Sequence, residues 1–313
     1  MGKERANRTA HKDAPVSPRD LERIARLQFL ARFVVEGFCS GLHRSPHKGF
    51  SVEFKQHRQY VPGDDVRYVD WKVFGKTDRF YIREYEAETN LRATLVVDTS
   101  GSMAYAGAWG EDDGNTLPKY EYALRLAACL SYLMLGQQDA VGLALFDTAL
   151  RAFIPPRARP RHFQVIVEAL ARKQPGGETE LGEVIHQLAP KLKRRGVVVL
   201  LSDCFGDVSE LLRALAHLRH NGHEIIVFQL WHRDELTFPF RTWTRFECLE
   251  RHGFRHTVDP AHLRSAYLAK LEEYREALTK GCRRHRIDLI PLVTDEPYAE
   301  ALARYLAVRK RRS

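Results

Sequence analysis

Apolar residues recur along this chain in two rhythms. Early on, Leu21, Ile24, Leu27, Leu30 and Val34 follow one another at steps of three and four, the spacing of one helix face. Ser17 as N-cap and Pro18 in the first turn give that helix a start, and Gly37 and Gly41 punctuate its end. Residues 1–17 are polar and aperiodic and read as a flexible tail. Between 48 and 90 the period shortens to two. Phe50, Val52 and Phe54 alternate with polar residues, Pro62-Gly63-Asp64-Asp65 signals a turn, and Phe80–Thr89 alternates again. These strands carry few apolar positions. Residues 18–90 are therefore expected to pack on the part of the chain beyond residue 90 rather than form an independent core.

From residue 91 onward, apolar runs alternate with helical patterns. The runs are Ala93–Asp98, Ala140–Phe146, Val197–Ser202, Glu224–Trp231 and Ile287–Val293, with a short strand Leu150–Ile154 stopped by Pro155-Pro156. Helices are predicted near 119–135, 161–172, 181–195, 207–221, Pro260–His285 and Tyr298–Val308, with a hairpin-like region over 236–258. Strands that are apolar throughout and separated by helices predict an α/β fold: a doubly wound, mainly parallel sheet covered on both faces over 91–313, preceded by the small helix-plus-strand segment.

Composition narrows the class. With 44% hydrophobic and 28% charged residues among 313, the chain has the profile of a globular protein and not of a disordered one. The longest greasy runs are far short of the roughly 20 residues of a membrane span. The N-terminus has no apolar leader, and the 5 cysteines have no paired spacing, so a cytoplasmic protein without a disulfide framework or zinc ribbon is expected. The net charge of +9 sits mostly in residues 1–28 and in Arg309-Lys310-Arg311-Arg312. Basic ends on a nearly neutral body argue against a dedicated nucleic-acid reader.

In doubly wound sheets, ligands bind beyond the C-terminal ends of the strands. The residues predicted there are Asp98-Thr99-Ser100-Gly101-Ser102 after the first strand, Gly176-Gly177-Glu178-Thr179 before a helix, and Asp203 after Val197–Ser202. Asp98, Ser100, Ser102, Thr179 and Asp203 offer two carboxylates and three hydroxyls. Such hard oxygen donors suit Mg²⁺, or another divalent cation such as Mn²⁺. Gly101 is expected to let the loop turn closely, and Asp98 is expected at the solvent edge. The competing reading makes Asp98 and the serines caps for loop backbone.

D-x-S-x-S after a first buried strand, with a later Thr and a later Asp, resembles the metal-ion-dependent adhesion site of von Willebrand factor A domains. The resemblance implies that Asp98, Ser100, Ser102, Thr179 and Asp203 occupy the five metal positions and that a partner's acidic side chain completes the coordination. A wider resemblance rests on Gly41-Leu42-His43-Arg44-Ser45, Val52-Glu53-Phe54, Tyr60-Val61-Pro62-Gly63-Asp64-Asp65-Val66-Arg67, Asp70-Trp71-Lys72 and Tyr81-Ile82-Arg83-Glu84-Tyr85. These are similar to the signature of the bacterial family called domain of unknown function 58, which joins such a segment to a von Willebrand factor A-like domain. Membership implies a protein-binding adaptor that works with a MoxR-type AAA+ ATPase, or its client, in assembly or maturation of protein complexes. Many relatives carry transmembrane helices ahead of this region, and none is expected here. Cys204, directly after Asp203, departs from the family's site loop.

Other constellations are weaker. Gly63–Trp71 reads as a turn whose Tyr68 and Trp71 pin the segment to the sheet, with a docking surface as the alternative. His217, His220 and His223 read as helix-end histidines rather than zinc ligands. Cys204 reads as a buried packing residue rather than a nucleophile. Glu84, Glu86 and Glu88 interleave with arginines as a solvated or salt-bridged edge. No Walker, G-x-S-x-G or H-E-x-x-H motif is present. An enzyme is therefore not expected. The alternatives are a Mg²⁺-dependent phosphohydrolase, which would need a general base and a phosphate cradle, and a basic-tailed nucleic-acid accessory protein.

Overall fold

A computed structural model describes residues 18–44, 56–59, 71–84, 91–107, 117–251 and 253–310. The chain begins with helix α1 (Pro18–Arg44), strand β1 (Gln56–Gln59), helix α2 (Trp71–Thr77) and strand β2 (Tyr81–Glu84), which pairs antiparallel with β1. The sheet region then runs β3 (Arg92–Asp98), α3 (Lys119–Gly136), β4 (Ala140–Phe146), β5 (Leu150–Arg157), α4 (His162–Arg172), α5 (Leu181–Leu188) and β6 (Val197–Ser202). It continues α6 (Val208–His220), β7 (Glu224–Trp231), α7 (Arg233–Thr237), β8 (Thr244–Glu247), β9 (Arg255–Val258), α8 (Pro260–Arg284), β10 (Asp288–Val293) and α9 (Tyr298–Lys310).

The central sheet has strand order β10-β7-β6-β3-β4-β5, parallel except for β5, which lies antiparallel to β4 at one edge. The chain winds outward in one direction from β3 and in the other from β6. The topological switch point therefore falls between those two strands, where such sheets open a crevice at their C-terminal ends. Six strands in this order, with one antiparallel edge, form a von Willebrand factor A-like α/β fold.

Burial explains the layering. Along β3, Leu95 and Val97 enter the core beneath α1, α3, α4 and α9, while Val96 enters the core beneath α5, α6 and α8. On β6, Val197, Val199 and Leu201 face the first core, and Val198 and Leu200 face the second. This period of two, apolar on both sides, is the pattern of a sheet covered twice. Helix α1 buries Ile24, Leu27, Ala31 and Val35. Each large apolar side chain buried this way contributes about 1.5–3 kcal/mol. Arg23 fastens α1 across two helices, donating to the Ala171 carbonyl at 3.0 Å and to Glu121 at 3.1 Å.

Several boundaries depart from the sequence pattern for identifiable reasons. Helix α1 runs through Gly37 and Gly41, and its buried stripe shifts to Ala31 and Val35, leaving Leu21 exposed. A Cβ on Gly37 would meet nothing, so that glycine marks a solvent face rather than a stop. Strand β5 continues through Pro155-Pro156, because an edge strand tolerates residues without a ladder donor. Helix α5 ends at Leu188 and passes into a 3-10 turn at Ala189–Lys191, where Pro190 removes a donor. A helix, α2, starts at Trp71, and Trp71 is exposed, set edge-on to Phe74 and Phe80 rather than pinned by burial. The expected strand Phe50–Phe54, the turn Pro62–Asp65, Tyr68, Glu86 and Glu88 lie outside the described residues.

Candidate functional site

Four of the five oxygen-bearing residues predicted for the site, Asp98, Ser100, Ser102 and Asp203, stand at or just past the ends of the two strands that flank the switch point, and the fifth, Thr179, lies on a loop bonded to theirs. Asp98 is the last residue of β3, and Asp203 follows the last residue of the neighbouring β6. The loop carrying Thr179 is held against the Asp98–Ser102 loop by two backbone bonds: Gly101 N–H donates to the Gly177 carbonyl at 2.8 Å, and Gly176 N–H to the Thr99 carbonyl at 2.9 Å. Thr99 anchors the first loop to β4, its amide donating to the Phe146 carbonyl at 2.7 Å and its hydroxyl at 2.6 Å. The hydroxyls of Ser100 and Ser102 lie 3.1 Å apart.

Asp98 is wholly buried, not at the solvent edge. It accepts from the Ser100 amide at 2.9 Å and from the Ser202 hydroxyl at 2.5 Å, and Ser202 in turn accepts from the Cys204 amide at 2.9 Å. Part of its work is thus the loop capping of the competing reading. Burial, followed by the nearby Asp203 charge, pushes the Asp98 carboxyl up to about 7.

Lys119, at the start of α3, reaches the same place. Its ammonium donates to Asp203 Oδ2 at 2.8 Å and to Glu235 Oε1 at 2.6 Å, and lies 4.8 Å from the centre of the Phe205 ring. Burial opposes this charge, but Asp203 and Glu235 outweigh it and hold the Lys119 ammonium above its ordinary value. Burial raises Glu235, against the pull of Lys119. Glu235 also accepts from the His232 amide at 2.7 Å, completing a capping box at α7. The remaining oxygen of Asp203 accepts from the Phe205 amide at 3.1 Å.

Lys119 thus pairs with two carboxylates, Asp203 and Glu235, and Asp98 lies close enough to feel the Asp203 charge. Beside these acids stand Ser100, Ser102 and Thr179, hydroxyls that can ligate without adding charge. This donor set fits Mg²⁺, which takes one or two carboxylates and fills its other positions with neutral oxygens. Among the described residues no three His, Cys, Asp or Glu side chains form a metal-holding group, so a cation would rest on the hydroxyls as much as on the acids.

The other sequence candidates add no oxygen donor to this rim. Cys204 is buried with a left-handed backbone (φ 60°), and burial pushes its thiol well above the ordinary range, which suits packing rather than nucleophilic attack. His217 meets His186 on the surface, with 3.3 Å between their Nδ1 atoms, while His223 is buried. Lys119 and Glu235 escaped the sequence reading. One signal was available for Lys119: a lysine at a helix start opposes the helix dipole, and a broken local rule often marks a site.

The fold and this rim define a von Willebrand factor A-like domain. The chain belongs to the family described as Protein of unknown function DUF58, which matches residues 56–277. Uncharacterized protein Rv1480 of Mycobacterium tuberculosis is 26% identical over 291 residues, spanning 91% of this chain and 88% of that protein. Among solved structures, the conserved hypothetical protein BatB from Bacteroides thetaiotaomicron is 16% identical with a TM-score of 0.42, covering 71% of this chain and 99% of that one. The SpRpn10 VWA domain is 12% identical with a TM-score of 0.37, covering 68% and 94%. Among the described residues no helix is long and apolar enough to cross a membrane.

Proposed function

We propose that this chain is a protein-binding adaptor that holds a divalent cation, Mg²⁺ or Mn²⁺, on Asp98, Ser100, Ser102, Thr179 and Asp203, and grips an acidic residue of a partner through it. The observation that carries this reading is geometric: Asp98 and Asp203 stand at the ends of adjacent strands, the Ser100 and Ser102 hydroxyls lie 3.1 Å apart beside Asp98, and the Thr179 loop is bonded to the Asp98–Ser102 loop. A cation held largely by neutral oxygens keeps its electrophilicity and takes up a further carboxylate. This chain's own residues bind and orient; no step of turnover is assigned to them. The family resemblance supports a MoxR-type AAA+ ATPase, or its client, as the partner, with assembly or maturation of protein complexes in the cytoplasm as the setting.

The test is binding of the full chain to a MoxR-type ATPase from the same genome, in Mg²⁺ and in chelator, with a phosphoester panel alongside. Binding that needs the cation and is lost in Ser100→Ala supports the reading. Equal binding in chelator removes the cation from the mechanism, and phosphoester turnover would return the chain to the hydrolases.

A further inference from the structure

Strands β8 and β9 form a two-stranded hairpin whose tip lies against the Asp98–Ser102 loop. A Cβ built on Gly101 would stand 2.2 Å from the carbonyl oxygen of Leu249 and 3.1 Å from the Cα of Glu250. Gly101 itself has φ −62° and ψ −38°, which any residue adopts. The loop's turn therefore does not demand glycine there; the close approach of the hairpin backbone does. This corrects the expectation that Gly101 serves loop curvature, and it makes the seat of the hairpin a built feature of the sequence.

The hairpin also makes a polar contact. The Thr179 hydroxyl donates to Glu250 Oε1 at 3.2 Å, and Arg251 Nε pairs with Glu178 Oε1 at 3.1 Å, an exposed pair of small energetic weight. Glu250 thus places a carboxylate on one of the three hydroxyls of the candidate cation site.

We infer that Glu250 is a cation ligand supplied in cis, so that the β8–β9 hairpin occupies the partner's position until a partner carboxylate displaces it. This rests on the proposed cation site. It adds that the resting site is closed by the chain's own acid, and that the cation and the hairpin are linked: each steadies the other. A partner must then both offer a carboxylate and displace the hairpin tip. Selectivity would come from that displacement rather than from the cation, which takes any acid.

The experiment uses the full chain with Mg²⁺ alone as probe. Calorimetry gives the Mg²⁺ affinity, and hydrogen exchange over 244–258 reports the hairpin, in wild type, Glu250→Gln and Gly101→Ala. The second variant leaves every proposed ligand chemically intact, suits the local backbone, and forces the tip away. We expect Mg²⁺ to slow exchange over 244–258 in wild type. Both variants should lose that protection and weaken Mg²⁺ binding by about tenfold, as removal of one supporting group at a metal site does. Wild-type Mg²⁺ binding with unchanged affinity and hairpin exchange in Glu250→Gln would overturn the cis ligand and leave the cation reading standing. No Mg²⁺ binding by wild type would overturn both.

Discussion

The ammonium of Lys119 sits 2.8 Å from Oδ2 of Asp203, with both side chains about 1% exposed. A buried pair of this kind is costly to break, because the surviving charge has no water to turn to. Here Lys119 also serves Glu235 at 2.6 Å, so it holds the end of β6 and the start of α7 together.

Lys119→Met should therefore destabilise the fold by about 3–5 kcal/mol, the range for uncovering a buried partner. Mg²⁺ should recover part of that loss, since a ligand that binds the native state alone stabilises it. Urea unfolding with and without Mg²⁺ measures both. A loss below about 1 kcal/mol would place the pair among weak surface contacts.

Asp98 separates structural work from ligand work. Asp98→Ala leaves the Ser100 amide and the Ser202 hydroxyl without their acceptor and should cost about 1–3 kcal/mol. Asp98→Asn keeps an acceptor and removes a charge that burial disfavours, so its stability should stay close to wild type. Both should lose cation binding. Thermal unfolding beside Mg²⁺ calorimetry checks the order, and full Mg²⁺ affinity in Asp98→Asn would confine Asp98 to capping.

Asp147, at the end of β4, braces the site's other loop. Its carboxylate accepts from Arg151 Nε at 2.5 Å and from Lys173 Nζ at 3.3 Å, and Gly177 lies against its side chain. Burial works against the charge, but the contacts with Arg151, the Ala149 amide and Lys173 prevail and hold Asp147 below the ordinary carboxylate range. A depressed folded value means stability that is present above the unfolded value, near 3.9, and lost as pH falls through the folded one. Asp147→Asn should cost about 1 kcal/mol at neutral pH, since both partners are partly exposed, and nothing in strong acid. Unfolding free energies at the two pH values test this; an equal cost at both would assign the effect to packing.

Much of this architecture is legible in the sequence, because it is written locally. The buried strands β3, β4, β6 and β7 are mostly apolar runs, and Asp98, Ser100, Ser102 and Asp203 stand at or just past the ends of β3 and β6, so the switch point could be located by counting elements. What escaped depends on distant partners. Lys119 and Glu235 are 116 positions apart and meet only through the fold. Glu250 lies in a hairpin with no periodic signal, and the demand for Gly101 comes from Leu249, far along the chain. The boundary errors are local rules overruled by position: prolines accepted at the edge in β5, and glycine accepted on the solvent face of α1.

The central claim is that a divalent cation belongs at this rim, and titrating Mg²⁺ into the full chain by calorimetry, with Ser100→Ala beside it, tests that claim most directly. Ser100 offers a hydroxyl and no charge, so Ser100→Ala removes a proposed ligand while leaving the number of charges on the acids unchanged. We expect saturable binding of one Mg²⁺ per chain, a higher unfolding temperature in Mg²⁺ than in chelator, and loss of both effects in Ser100→Ala. No binding heat in wild type, with the same unfolding temperature in Mg²⁺ and in chelator, would contradict the account and leave Lys119 as the site's own cation.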